Sequence, residues 1–264
     1  MRRPLMTAVA IGLTLGFGVT YALLPERETS PRAAFYAPVH IDLSFAAREA
    51  KADSLLEGGW EKPEAWGVWS RGGQSVVLVH LRSPVREDVA LFIEARSRLN
   101  QAKNARVSLE VNGSPIGIWE LTGKDREAAS FVVGNQIANK EHPIRIAFRS
   151  EVSAVGLRSI TLRSKSSLTR FGGYVDTCQQ NRISGWAKTD LLLSPLIVQR
   201  DGGSVSPIVL RNVIRPDLAP HGHPAGSGFE IELPQATNPA AKLDVTFPNG
   251  RPLGNSPCLP DATR

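Results

Sequence analysis

The sequence predicts an all-β protein, with two antiparallel β-sandwich (jelly-roll-like) domains following one N-terminal transmembrane helix. Three observations carry this. From Val39 onward apolar residues recur mostly at every second position, short strand-like runs are separated by Gly, Pro, Asn and Asp, and one uncharged stretch, Pro4 to Leu24, precedes them all. Of the 264 residues, 42% are hydrophobic and 21% charged. That balance suits a chain that folds largely in water and excludes both wholesale disorder and a multi-spanning membrane protein.

The N-terminus reads as an address. Met1-Arg2-Arg3 leads into Pro4–Leu24, interrupted only by Thr7, Thr14, Thr20 and Tyr21 and stopped by Pro25, Glu26 and Arg27. About 20 apolar residues span the ~30 Å of hydrocarbon in a bilayer, so the run is just long enough. The flanking arginines keep the N-terminus cytoplasmic and place the bulk of the chain in the periplasm or its equivalent, on the far side of a bacterial inner membrane. A cleavable signal peptide is the competing reading, although Thr20-Tyr21-Ala22 makes a poor cleavage site. Residues 1–24 are therefore expected to form a signal-anchor or signal peptide. Residues 25–38, with Pro25, Pro31 and Pro38, form an extended tether.

Residues 39–165 are expected to form the first sandwich. Val107, Leu109 and Val111 alternate with Ser108 and Glu110, and Ile144, Ile146 and Phe148 alternate with Arg145, Ala147 and Arg149, as half-buried strands do. Val76–Val79 is apolar on both faces, as in a central strand. Asn112-Gly113 between two such runs marks a hairpin, because a type I′ turn needs positive φ at both central residues. Ala46–Leu56 carries the chain's clearest helical periodicity. Residues 166–171 read as a linker. In the second, smaller β domain, 172–260, strands are expected at Asn181–Thr189, Pro195–Arg200, Val205–Val213, Phe229–Leu233 and Leu243–Phe247, with Asp201-Gly202 as a further hairpin turn. The two cysteines, Cys178 and Cys258, both fall in this region, and an even pair in an oxidising compartment predicts one disulfide, worth about 4 kcal/mol by the chain-entropy argument.

The candidate binding residues lie in Gly58–Ser70, which holds three of the five tryptophans within ten residues. Indole faces stack on the apolar faces of sugar rings and carboxylates accept bonds from sugar hydroxyls, so Trp60, Glu64, Trp66 and Trp69 are the glycan-binding candidates. The opposing reading is that these indoles fill the end of the sandwich. Trp186, between Gly185 and Ala187, is expected in the core, and Arg215 and Asp217 are expected to pair within a turn. His221-Gly222-His223 lacks a third ligand in sequence, so no metal is expected.

The succession Gly59-Trp60, Pro63-Glu64, Trp66-Gly67, Trp69-Ser70, followed by a strand and the Val111-Asn112-Gly113 hairpin, resembles a β-sandwich domain attached to bacterial membrane glycosyltransferases and phosphoglycerol transferases of surface-polysaccharide assembly. This resemblance covers residues 55–163. Gly173-Tyr174-Val175-Asp176, Ile183-Ser184-Gly185-Trp186-Ala187, Arg215-Pro216-Asp217-Leu218 and Gly228-Phe229 resemble a small β module that accompanies sugar-transferring enzymes, over 172–257. The resemblance implies an accessory role beside catalysis that resides in another domain.

The residues agree with that implication. There is no GxSxG, phosphate-binding Gly-rich loop or His-rich helix, and Glu61 with Glu64 would make a glycosidase dyad only at a separation of ~5–9.5 Å across a sugar. The net charge of +6 is scattered instead of clustered and accompanies no nucleic-acid motif, so nucleic acid is not an expected partner. The function expected is a non-catalytic, membrane-tethered module that binds or positions a glycan or a polysaccharide-assembly protein, without a cofactor. The alternatives are a scaffolding subunit for another envelope protein and a polysaccharide hydrolase.

Overall fold

A computed structural model describes residues 39–46, 53–81, 83–98, 105–123, 126–150, 155–190, 193–205, 208–236, 238 and 240–260. The anchor and the tether lie outside them, as does most of the helical segment expected over Ala46–Leu56, whose end is a short 3-10 turn at Asp53–Leu55.

Among the described residues the fold is mostly β-sheet, with one helical turn at Asn135–Ala138 and a few short 3-10 turns. The strands in chain order are β1 (His40–Ser44), β2 (Leu56–Gly58), β3 (Val68–Trp69), β4 (Gly73–Val79), β5 (Val89–Ser97), β6 (Ala105–Val111), β7 (Ser114–Leu121), β8 (Glu127–Val133), β9 (Ile144–Ser150), β10 (Val155–Ser164), β11 (Gly172–Gln179), β12 (Arg182–Lys188), β13 (Ile197–Arg200), β14 (Gly203–Ser204), β15 (Val209–Val213), β16 (Gly228–Glu232) and β17 (Leu243–Thr246). One sheet runs β1-β10-β5-β8, with β3 also on β10. A second runs β11-β12-β16-β15-β7-β6-β9-β4-β2, and a third β14-β13-β17.

Period-two patterning decides the faces. Val107, Leu109 and Val111 of β6 and Ile144, Ile146 and Phe148 of β9 are all buried, and they share one core with Leu91, Ile93 and Ala95 of β5 and Leu157, Ile160 and Leu162 of β10. Two sheets that each bury one face in this way make a sandwich. Asn112 and Gly113 take φ of 49° and 73° at the β6–β7 turn, and Asp201 and Gly202 take 48° and 79° at the β13–β14 turn, as those dipeptides require.

The strands on the two sides of 166–171 meet in the nine-stranded sheet. β15 pairs in parallel with β7 through Val209↔Ile118 and Leu210↔Trp119, and the Ile118 N–H donates to the Ile208 carbonyl at 2.8 Å. A ladder of charges crosses the same seam. Arg211 of β15 donates to Glu120 of β7 at 2.7 Å and to Glu232 at 3.1 Å, and it also bonds Glu230, which Arg182 meets from the other side. Glu120 above all, and Glu230, hold the Arg211 guanidinium further above its ordinary pKa. From Ala37 to Arg264 the chain clusters as one compact unit. In its C-terminal part Val175, Ile183, Phe229 and Ile231 share the buried cluster with Val198, Val245 and Phe247, and the Cys178–Cys258 disulfide, with Cα atoms 6.3 Å apart, ties the last described segment to β11.

Candidate functional site

The tryptophan-rich stretch folds as a small hairpin packed against β10 of the sandwich. The Glu61 N–H donates to the Trp69 carbonyl and that of Arg71 to Gly59, while Glu64 and Gly67 exchange bonds of 2.7 and 3.2 Å, leaving Ala65 and Trp66 at the tip. Gly59 and Gly67 are required by close approach: a Cβ at either would lie 2.1 Å from the Gln74 carbonyl oxygen or 2.3 Å from that of Leu157.

This geometry separates the candidates. Trp60 is 6% exposed, its Nε1 donates to the Val76 carbonyl at 2.7 Å, and its ring meets Phe148 edge-on at 5.8 Å; it belongs to the core. Trp69 is 7% exposed. It lies in register with Gly156 and Arg96 across β3, β10 and β5, on the side of the sheet opposite the core row Val68, Leu157 and Ala95. Gly156 leaves the hollow in this row, since a Cβ there would stand 2.6 Å from the Trp69 ring and 2.3 Å from the Trp66 ring. Trp66 lies half-buried over that hollow, edge-to-face with Trp69 at 4.6 Å, and its Nε1 donates to Glu64 Oε2 at 2.6 Å. Trp66 and Glu64 are therefore the two candidates brought to the surface together; Trp69 supports Trp66 from below, and Trp60 is part of the core.

Arginines that the sequence reading did not single out complete the site. The Arg96 guanidinium stacks on Trp66 at 3.6 Å from its centroid, and Arg98 covers Trp69 at 4.4 Å while holding Glu61 with bonds of 3.0 and 2.6 Å. Those bonds from Arg98 keep the Glu61 carboxyl below its ordinary pKa of 4.5. Beside Trp66 a cavity of about 50 Å³ is lined by Ala95, Arg96, Arg126 and Arg158. Arg158 is the extra residue of a β-bulge, lying between the pairs Leu157↔Ala95 and Ser159↔Glu94. Bulges of this kind re-aim a side chain beside functional sites. Single arginines scattered in sequence carry no spacing that announces the cluster. The cross-strand registers of β10 and β8 on β5 create it.

The remaining candidates fall elsewhere. Trp186, expected in the core, is half-buried and stacks on His223 at 4.3 Å beside exposed Tyr174, because Gly228 and Tyr174 are its neighbours across the sheet. His223 lies below its ordinary pKa through burial, with Lys188 and His221 adding to the effect. Arg215 holds Asp217 as expected, with bonds of 2.9 and 2.7 Å, and reaches Asp176 of β11 as well. Among the described residues no group of three His, Cys, Asp or Glu is placed to hold a metal ion. A cleft of about 350 Å³ between β7, β8 and β13 is lined by apolar side chains, Phe131 among them, and a few serines, which offers a sugar few polar partners.

No family model and no curated protein matches the chain. Among solved structures it is similar to the CBM36-1 domain of a multidomain xylanase from the hindgut metagenome of Trinervitermes trinervoides, at 14% identity and a TM-score of 0.33, over 47% of this chain and 96% of that one. It is also similar to a carbohydrate-binding module CBM36 in complex with calcium and xylotriose, at 12% identity and a TM-score of 0.29, over 48% of this chain and 99% of that one. The catalytic unit of the GH87 α-1,3-glucanase from Streptomyces thermodiastaticus strain HF3-3 is similar at 11% identity and a TM-score of 0.32, over 53% of this chain and 30% of that one. Likenesses this distant carry no functional weight. The geometry at Trp66 does.

Proposed function

We propose that this chain is a non-catalytic glycan-binding module, tethered through its N-terminal segment on the outer side of an inner membrane, where it positions a glycan for surface-polysaccharide assembly. The observation that carries the binding reading is the Trp66 tip. A half-buried indole is fixed by Glu64, Trp69 and Arg96, and rimmed by groups that donate and accept hydrogen bonds. Rigid aromatic surface beside a few polar groups is how such ligands are held at low entropic cost. The chemistry of the same loop opposes hydrolysis: Glu61 is held ionised by Arg98 and so is a poor proton donor near neutral pH, and Glu64 is engaged by the Trp66 indole. The tether and the assembly context rest on the uncharged run Pro4–Leu24 and on the family resemblance.

The test is a glycan array probed with the full chain in a non-ionic detergent, with binders then titrated while tryptophan emission is recorded. The expected result is specific binding with quenched or shifted emission. Well-folded protein that binds no glycan but crosslinks to a single envelope protein in membranes would replace this reading with scaffolding. Release of reducing ends from a bound polysaccharide would replace it with hydrolysis.

A further inference from the structure

We infer that the ligand at the Trp66 tip carries an anionic group, a carboxylate, sulfate or phosphate ester, received by Arg96, Arg126 and Arg158. This inference rests on the glycan-binding reading and names the class of glycan.

The charge balance at the cavity points this way. Three guanidinium groups line it, and Glu94 is the carboxylate that answers them. Glu94 Oε1 accepts from Arg126 at 3.0 and 2.6 Å, and Oε2 accepts from Ser159 while standing 3.9 Å from Arg158. Arg96 has no carboxylate partner among the described residues, and its Nε is a buried donor with no acceptor. Of the three guanidinium groups at the cavity, Arg126 is bonded to Glu94, Arg158 stands 3.9 Å from it and Arg96 pairs with no carboxylate among the described residues, while Glu64 is held at the Nε1 of the Trp66 indole, so the cavity itself keeps an excess of positive charge. Arg126 and Arg158 stand exposed at the rim, their side chains 63% and 51% accessible, and so can meet a ligand, while the unpaired buried Nε of Arg96 costs free energy, so the arrangement gains on receiving an anion.

Shape and donor chemistry agree with the charge. At about 50 Å³ the cavity is far smaller than the cleft of about 350 Å³ between β7, β8 and β13, and it suits a single small group reaching inward while the ring rests outside against Trp66. Guanidinium forks match the paired oxygens of carboxylates, sulfates and phosphates, and such charge-assisted bonds are about twice as strong as neutral ones. The bulge that turns Arg158 out of the β10 ladder is what brings the third arginine to the cavity. Arg98, by contrast, is already neutralised by Glu61 and takes no part.

The experiment compares glycans that differ only in charge, such as oligogalacturonate and its methyl ester, together with sulfated, phosphorylated and neutral glycans on the array, using the full chain. The inference expects binders to be confined to acid-bearing glycans, with affinity falling as salt rises. Arg158→Gln should weaken them about tenfold, as expected for one lost charge-assisted contact. Glu94→Gln, which removes the competing carboxylate, should tighten them several-fold, a direction that damage to the fold cannot produce. Which acid binds best separates uronates from sulfate and phosphate esters. Neutral glycans binding as tightly as their acidic counterparts, or unchanged affinity in both variants, would overturn the inference and leave glycan binding standing. If no glycan of either kind binds, both fall.

Discussion

Trp60 and Trp66, six positions apart in one loop, do opposite work. The Trp60 indole is enclosed and bonded to a backbone carbonyl in the core, so Trp60→Ala should lower stability by about 3–5 kcal/mol, read as a shifted denaturant midpoint. Trp66 gives up mainly an edge contact with Trp69 and the Arg96 stack, so Trp66→Ala should cost about 1 kcal/mol and act on binding instead. Glu61 supplies a pH signature. Its pKa is lower in the fold than in the unfolded chain, so its bond to Arg98 stabilises fully above the ordinary value of 4.5 and loses that effect as pH falls through the folded value. Stability measured against pH should therefore fall more steeply on the acid side for the parent than for Glu61→Gln. Equal acid slopes would remove Glu61 from the account.

At the scale of elements, the nine-stranded sheet depends on a short parallel seam. Only two residue pairs join β7 to β15, and Arg211 with Glu120, their side chains 22% and 5% exposed, clamp that seam from one face. Breaking a largely buried pair by removing one partner typically costs about 3–5 kcal/mol, and partial exposure of Arg211 brings the expectation for Arg211→Met to about 3 kcal/mol. Thermal unfolding of Arg211→Met, Glu120→Gln and the double variant checks it: the two losses should fall well short of adding, because both variants break the same pair. Local patterning made much of this legible. The alternation in β6 and β9, the Asn112-Gly113 and Asp201-Gly202 turns and five strands of the C-terminal part follow from the chain's own period and punctuation. The seam does not, since nothing in Val209-Leu210 or Ile118-Trp119 announces a parallel partner about ninety residues away. The same limit hid the arginine cavity, which the pairing of β10 and β8 with β5 assembles from Arg96, Arg126 and Arg158, and it misplaced Trp186, whose small neighbours Gly185 and Ala187 are buried on the opposite face while the indole lies beside Tyr174 and Gly228 and stacks on His223.

On the scale of the whole molecule, one unit from Ala37 to Arg264 carries the tryptophan tip at one place and a disulfide-tied C-terminal part at another. The 80-residue separation of Cys178 and Cys258 predicts a loss of about 4 kcal/mol on replacing both with alanine, seen as a lower melting temperature in the absence of reductant and no further fall when reductant is added. Neither cysteine is near the Trp66 hairpin in the fold's connectivity, so stability and binding should separate in that variant. The central claim, that the Trp66 tip is where a glycan is held, is tested most directly by titrating the full chain and Trp66→Ala with a glycan selected from the array while following heat of binding. The account predicts an affinity about five- to a hundredfold weaker for Trp66→Ala, in line with about 1–3 kcal/mol for a lost stacking contact, with a melting temperature lower by only about 2–4 °C. Equal affinities in the two proteins would contradict it and move the site away from the tip.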